Sequence, residues 1–446
     1  MRRRVRVRAI AVAVAVAAAL PAGPAAEFAS ASQLSALRKA FASDLNAGGG
    51  SNGALVVDMN TGKTLYAYRA RVGRLPASNE KLYTTSTALL RFGPDATLQT
   101  AVYGVGSLTA NGAFDGALYL HGGGDPSFGS TGFDNYYYGR NVTHATMQSL
   151  VAQLVKRGIK SIEGDVYGDA SYLDAAQGTA PYGFRASFDL GSPLSALDYN
   201  RGWTDLSGDG FQANPPLYAA QQLVLALRAA GVKVPKNRTF TGKTPVGATT
   251  LATVSSPPMS TMIALTNTPS DNFFAETLIK DLGARFGGRG STAAGAAVVR
   301  AEVASQFGID PKIYDGSGLS YSDSSSPLDI VTVLEKMAGN KDFVQSLAIS
   351  GETGTLQDEM VGTNAQGQCR AKTGTLAAVS NLSGYCLARD GHTLVFSILQ
   401  NYVNPDTEHP LQDLMAEALV RYDAQTPTTQ TPPTAPKAPV AGTRRH

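Results

Sequence analysis

Residues 76–86 read P-A-S-N-E-K-L-Y-T-T-S, with Ser78 standing three positions before Lys81. A serine hydroxyl is a weak nucleophile at neutral pH and needs a base within hydrogen-bonding distance. On a helix, residues three apart share a face, so both side chains would point into one cleft. At a helix amino terminus Ser78 would also meet the positive end of the dipole, which favours developing negative charge. The lysine is a base only when neutral, so a second cation nearby should depress its pKa. Alone, the pair carries little weight. About one S-x-x-K arises by chance in a chain of this composition, and its ordinary meaning is a capping serine beside a solvated lysine.

Two further motifs change that reading. Ser270-Asp271-Asn272 occurs in N-T-P-S-D-N-F-F-A-E, and Lys372-Thr373-Gly374-Thr375 in C-R-A-K-T-G-T-L. Taken singly, the first is a helix cap and the second an exposed strand with a turn glycine. Each would arise by chance in roughly one such chain in ten or fewer. All three stand in the order 78, 270, 372, the set used by penicillin-binding proteins and class A β-lactamases.

On these motifs the sequence resembles the serine penicillin-binding proteins of the D-alanyl-D-alanine carboxypeptidase/endopeptidase type, the class C low-molecular-mass group (peptidase S13). The spacing agrees, because positions 78 and 270 are 192 residues apart. That group carries extra domains between these motifs, whereas a compact β-lactamase has far fewer residues there. The stretches H-G-G-G-D-P-S, G-S-P-L-S-A-L-D-Y-N-R-G and Y-D-G-S-G-L-S also resemble the family, so the likeness runs from about 33 to 422. Tyr321 departs from it, standing where a basic residue would be expected.

The resemblance implies an α+β fold. A serine transpeptidase/β-lactamase-like core, an antiparallel sheet flanked by helices, would be built from residues 33–96 and 259–425. A β-rich insertion in two nested parts would span 97–258. It also implies roles. Ser78 attacks the carbonyl of the penultimate D-alanine, and Lys81 takes its proton. Ser270 relays a proton to the departing D-alanine nitrogen, and Asn272 holds a substrate amide and orients Lys81. Lys372 supplies positive potential. Thr373 and Thr375 bind the terminal carboxylate, and Gly374 leaves room for the substrate. Asp169, in G-D-V-Y-G-D-A-S-Y-L-D, would meet a free amino group of the peptidoglycan side chain, with Asp174 as its competitor. The activity implied is D,D-carboxypeptidase, D,D-endopeptidase or both on peptidoglycan stem peptides, with β-lactam antibiotics as acylating inhibitors and no cofactor or metal. A serine β-lactamase and a non-catalytic wall-binding protein are the alternatives.

The rest of the chain fits this frame. The amino terminus, M-R-R-R-V-R-V-R then A-I-A-V-A-V-A-V-A-A-A-L, has the charged and short apolar regions of a secretory signal. It is too short and alanine-rich for a comfortable membrane span. Residues 1–31 are therefore expected to direct export, with cleavage after Ala25 or Ala31. Removing five arginines from 38 basic residues leaves 33 against 35 acidic. The mature chain is near neutral, which gives no argument for nucleic-acid binding. An exported protein can hold a disulfide. Cys369 and Cys386 flank a possible strand–turn–strand that would bring them together, two buried thiols being the alternative. They and five scattered histidines offer no metal-site spacing. The Pro/Thr-rich tail 426–446 cannot bury a core and is expected to be disordered. Gly49–Gly53 fits G-x-S-x-G, but a strand–turn–helix is needed there, and the sequence offers a glycine run followed by a strand.

Overall fold

The computed structural model describes residues 24–139, 145–235 and 238–424. Residues 1–23 of the expected signal and the expected tail 426–446 lie outside them. The chain opens with helix α1 (Pro24–Gly48), then strands β1 (Ser51–Asp58) and β2 (Lys63–Tyr68), and helix α2 (Lys81–Phe92). The middle of β1, Ala54–Val57, is apolar, and the strand is almost wholly buried, as an interior strand covered on both faces should be.

A second sheet follows. Its elements are β3 (Gln99–Leu108), β4 (Ala113–Gly122), α3 (Thr131–Tyr137), α4 (Met147–Lys156), β5 (Ser161–Ile162), β6 (Val166–Asp169), α5 (Pro215–Ala229), β7 (Thr239–Thr241) and β8 (Thr249–Ser255). The strand order is β7-β6-β4-β3-β8, with β5 also on β4. β4, β6 and β7 run parallel, and β8 closes antiparallel on β3. α4 buries Met147, Leu150, Val151 and Leu154 on one face, the helical period read from the sequence. This face and that of α5 form one core with the sheet.

The chain then returns through α6 (Met259–Asn267), α7 (Asn272–Phe286), α8 (Thr292–Phe307), α9 (Pro327–Met337) and α10 (Lys341–Gln345). It ends with β9 (Ala348–Ile349), β10 (Cys369–Leu376), β11 (Val379–Leu387), β12 (Thr393–Asn401) and α11 (Pro405–Arg421). The first sheet has the order β2-β1-β12-β11-β10-β9, all antiparallel. One face packs on α2 and α6–α9, the other on α1 and α11. The fold is therefore the expected α+β arrangement, an antiparallel sheet between helical layers. Cys369 and Cys386 face each other across β10 and β11 and are joined by a disulfide.

Candidate active site

Pro76 and Ala77 turn the chain from the sheet edge into α2. Ala77 sits in the left-handed region at φ 46°, which an alanine adopts only when its surroundings impose it. Ser78 lies in a single 3-10 turn, Ala77–Glu80, rather than within the helix that the spacing suggested. Lys81 opens α2 and is completely buried. Asn381 on β11 fixes the turn by donating to the carbonyls of Leu75 (3.0 Å) and Pro76 (2.8 Å).

The Lys81 Nζ donates to Ser78 Oγ at 2.8 Å, Asn272 Oδ1 at 2.6 Å and the Ser317 carbonyl at 2.8 Å. Residues from three distant segments thus converge on one nitrogen. Burial brings Lys81 down from 10.5 to about 8, against the pull of Asp315, Glu276, Asp271 and Glu80. Lys372 is also fully buried, on β10, and donates to the Thr373 carbonyl at 2.9 Å. Burial first, and then the charge of Lys81, pushes it well below the ordinary lysine range.

Gly374 lies against the nucleophile turn. A Cβ there would stand 2.7 Å from the Pro76 carbonyl oxygen and 2.9 Å from Asn79 Nδ2, so the glycine permits the strand's close approach. The Thr373 hydroxyl donates to Thr355 Oγ1 at 2.8 Å. Thr373 and Thr375 line a cavity of about 150 Å³ together with His409, Gln412 and Asp413.

Asn272 is the first residue of α7, capped by Asp271, whose carboxylate accepts from the Phe274 amide at 3.0 Å. Asn272 Nδ2 donates to the Asp189 carbonyl at 2.6 Å. Ser270 has φ 63°.

Asp169 does not join this group. It ends β6, and its carboxylate accepts from the Thr244 and Ser171 amides and pairs with His121 at 2.9 Å. His121 lines a separate cavity of about 460 Å³ beside Phe92 and Phe286, at the far ends of α2 and α7 from Lys81 and Asn272. Asp174 accepts from the buried Lys280 at 2.8 Å.

Sequence reasoning missed a set of buried acids around Lys81. Glu80, Glu276, Asp315 and Asp323 are all buried. Glu276 Oε1 accepts from the amides of Gly316 and Ser317, Asp315 from Gly318, and Asp323 from Tyr314. Together they shape the loop whose Ser317 carbonyl meets Lys81. Burial raises all four. It brings Glu276 to about 8, with Asp315 adding to the effect, and Asp323 to about 12. Gly318, at φ 85°, packs so tightly on Ala77 that a Cβ would collide with its carbonyl oxygen. The signals available were the Y-D-G-S-G-L-S stretch and the position of Glu276, one helical turn after Asn272.

The sequence profile of the D-Ala-D-Ala carboxypeptidase 3 (S13) family matches residues 35–203 and 211–422. The chain belongs to this family. Among S13 relatives, it is 28% identical to a D-alanyl-D-alanine carboxypeptidase of Actinomadura sp. (strain R39), over 90% of this chain and 88% of that one. It is 30% identical to carboxypeptidase DacB of Mycolicibacterium smegmatis, over 81% of this chain and 78% of the relative. The crystal structure of penicillin binding protein 4 (dacB) from Haemophilus influenzae superposes with a TM-score of 0.69 at 22% identity, covering 86% of this chain and 98% of that one. The S13 chain is accordingly a serine-type D-Ala-D-Ala carboxypeptidase or endopeptidase by family. Among its described residues, no helix is long and apolar enough to cross a membrane.

Proposed function

We propose that the protein cleaves the terminal D-alanine or the D,D-crosslink of peptidoglycan stem peptides through an ester on Ser78. The observation that carries this is the completely buried Lys81 amine, 2.8 Å from the Ser78 hydroxyl. A pKa near 8 leaves a useful fraction of neutral amine at working pH. The neutral amine takes the Ser78 proton as Oγ bonds to the carbonyl carbon of the penultimate D-alanine. The amides of Ser78 and Thr375 receive the oxyanion. The C–N bond then breaks, and a proton passes through Ser270 to the departing amine. Water attacks the ester, releasing the shortened peptide and restoring the Ser78 hydroxyl. Asn272 holds Lys81 and a substrate amide, while Lys372, Thr373 and Thr375 receive the terminal carboxylate beside Gly374. Asp169, at the end of β6 beside His121, would offer its carboxylate to a free amino group of the peptidoglycan side chain.

Residues 1–31 act as an export signal, which places this chemistry outside the cytoplasm, where its substrate is. Residues 33–96 and 259–425 form the catalytic domain and 97–258 its insertion. β-Lactams acylate Ser78 as they mimic the dipeptide. A β-lactam complex is known for the Haemophilus influenzae protein.

The test uses the wild type, Ser78→Ala and a fluorescent penicillin, with intact mass measured over time. A long-lived adduct on the wild type alone, with release of D-alanine from a D-Ala-D-Ala peptide, supports the reading. Rapid loss of the adduct as hydrolysed drug would make the protein a β-lactamase. Peptide binding with no adduct would make it a wall-binding protein.

A further inference from the structure

The stretch G-S-P-L-S-A-L-D-Y-N-R-G, 191–202, matches the family but takes no part in the reaction just described. Its arginine, Arg201, is 3% exposed. Arg201 Nη1 donates to Asp271 Oδ2 at 2.7 Å and Nη2 to Oδ1 at 3.2 Å. The guanidinium carbon lies 5.0 Å from the ring centre of Tyr137, 5.4 Å from Trp203, 4.8 Å from Phe273 and 5.5 Å from Phe274. Asn200 and Arg201 are both in the left-handed region, at φ 53° and 58°, so strained backbone aims this side chain. Two residues before this stretch, the Asp189 carbonyl also touches the motif, accepting from Asn272 Nδ2.

A helix-capping aspartate needs no arginine. Burying a guanidinium is costly unless its partners are well placed, and here a carboxylate fork and four aromatic rings meet it. The partner lies between Ser270, itself in a left-handed conformation, and Asn272, which holds Lys81. We propose that Arg201 is a positioning residue for catalysis, locking Ser270-Asp271-Asn272 from the inserted sheet region so that Ser270 and Asn272 face Lys81. This rests on the roles given to Ser270 and Asn272 above.

The test compares the full-length wild type with Arg201→Met, Arg201→Lys, Asp271→Asn and the Arg201→Met/Asp271→Asn double variant. Saturating and half-saturating penicillin acylation, kcat and KM on a D-Ala-D-Ala peptide, and thermal unfolding are measured. The saturated acylation rate and kcat are expected to fall roughly 100-fold in Arg201→Met and Asp271→Asn, as for a misplaced catalytic group. The half-saturating concentration and KM should rise by no more than about tenfold, because Asn272 gives up one substrate contact while the carboxylate contacts of β10 remain. Arg201→Lys keeps the charge but not the fork and should fall between. The double variant should be no slower than the slower single one, since both remove one contact. If Arg201→Met does not fold, Asp271→Asn and Arg201→Lys decide. Arg201→Met or Asp271→Asn with a native unfolding transition and acylation within about threefold of wild type would overturn the inference. So would a loss confined to KM. No adduct on the wild type would instead overturn the peptidase reading itself.

Discussion

Glu276 Oε1 lies 2.8 Å from the Ser317 amide nitrogen, and the Ser317 carbonyl accepts from Lys81 Nζ at the same distance. One buried carboxyl therefore sets the height of the peptide that holds the proposed base. Glu276 also accepts from Gly316. Its removal would leave two amides unpaired in the interior.

Glu276→Ala should accordingly lower stability by about 3 kcal/mol, from an unpaired-donor cost of roughly 1–3 kcal/mol each. It should slow Ser78 acylation roughly 10- to 100-fold by freeing Lys81. Glu276→Gln keeps the accepting oxygen and resembles the protonated acid that burial favours. It should stay within several-fold of wild type. Thermal unfolding with penicillin acylation kinetics checks both.

The pH dependence follows from Lys81. Burial lowers its pKa to about 8, so the neutral fraction rises as pH approaches that value. The acylation rate should climb about tenfold per pH unit well below 8 and level off above it. Asp315 pulls Lys81 upward. Asp315→Asn, which can still accept from the Gly318 amide, should therefore shift the profile towards acid pH. A shift the other way would contradict this account.

Gly374→Ala places a Cβ 2.7 Å from the Pro76 carbonyl and 3.2 Å from the Asn79 amide nitrogen. Either β10 or the nucleophile turn must move. A cost of about 1–3 kcal/mol is expected for such overpacking, and acylation should fall at least about 10-fold with the loss of alignment. Undiminished acylation would mean that the two elements separate without harm.

The disulfide closes a span of 17 residues. Replacing both cysteines by alanine should cost about 3 kcal/mol, largely through the unfolded chain. Activity at 25 °C should remain within a few-fold, since β10 keeps its full pairing with β11. Denaturant melts and acylation rates measure the two effects separately.

The three motifs were legible because each keeps its chemistry within a few residues, and Ser78, Lys81 and Asn272 do meet. The sheet between helical layers followed from the family likeness. Glu80 was not legible. Between Asn79 and Lys81 it reads as a solvated acid, yet it is fully buried, because Asp315 and Gly318 arrive from more than 230 positions away. Arg201 was hidden for the same reason, since no local pattern names Asp271 as its partner. Ser78 was placed on a helix because i,i+3 spacing suits one. The left-handed Ala77 and the press of β10 leave room only for a tighter turn.

Gln99 and Ser255 are direct partners at the start of β3 and the end of β8, and Leu98 and Ser256 continue the contact. The long excursion between them thus leaves and re-enters the core through one doorway. Once that pair has formed, the entropy of joining α2 to α6 is that of a short turn, not of a loop longer than the core's own helices. The intervening residues are nevertheless tied into the core, since Leu190 and Leu194 are buried with α2 and α7 and Asp174 pairs with the buried Lys280. What they cannot surrender is the grip of Arg201. A shortened chain with the doorway sewn shut would leave the buried Lys280 without Asp174 and the core without Leu190 and Leu194, and is expected to be less stable than the whole chain.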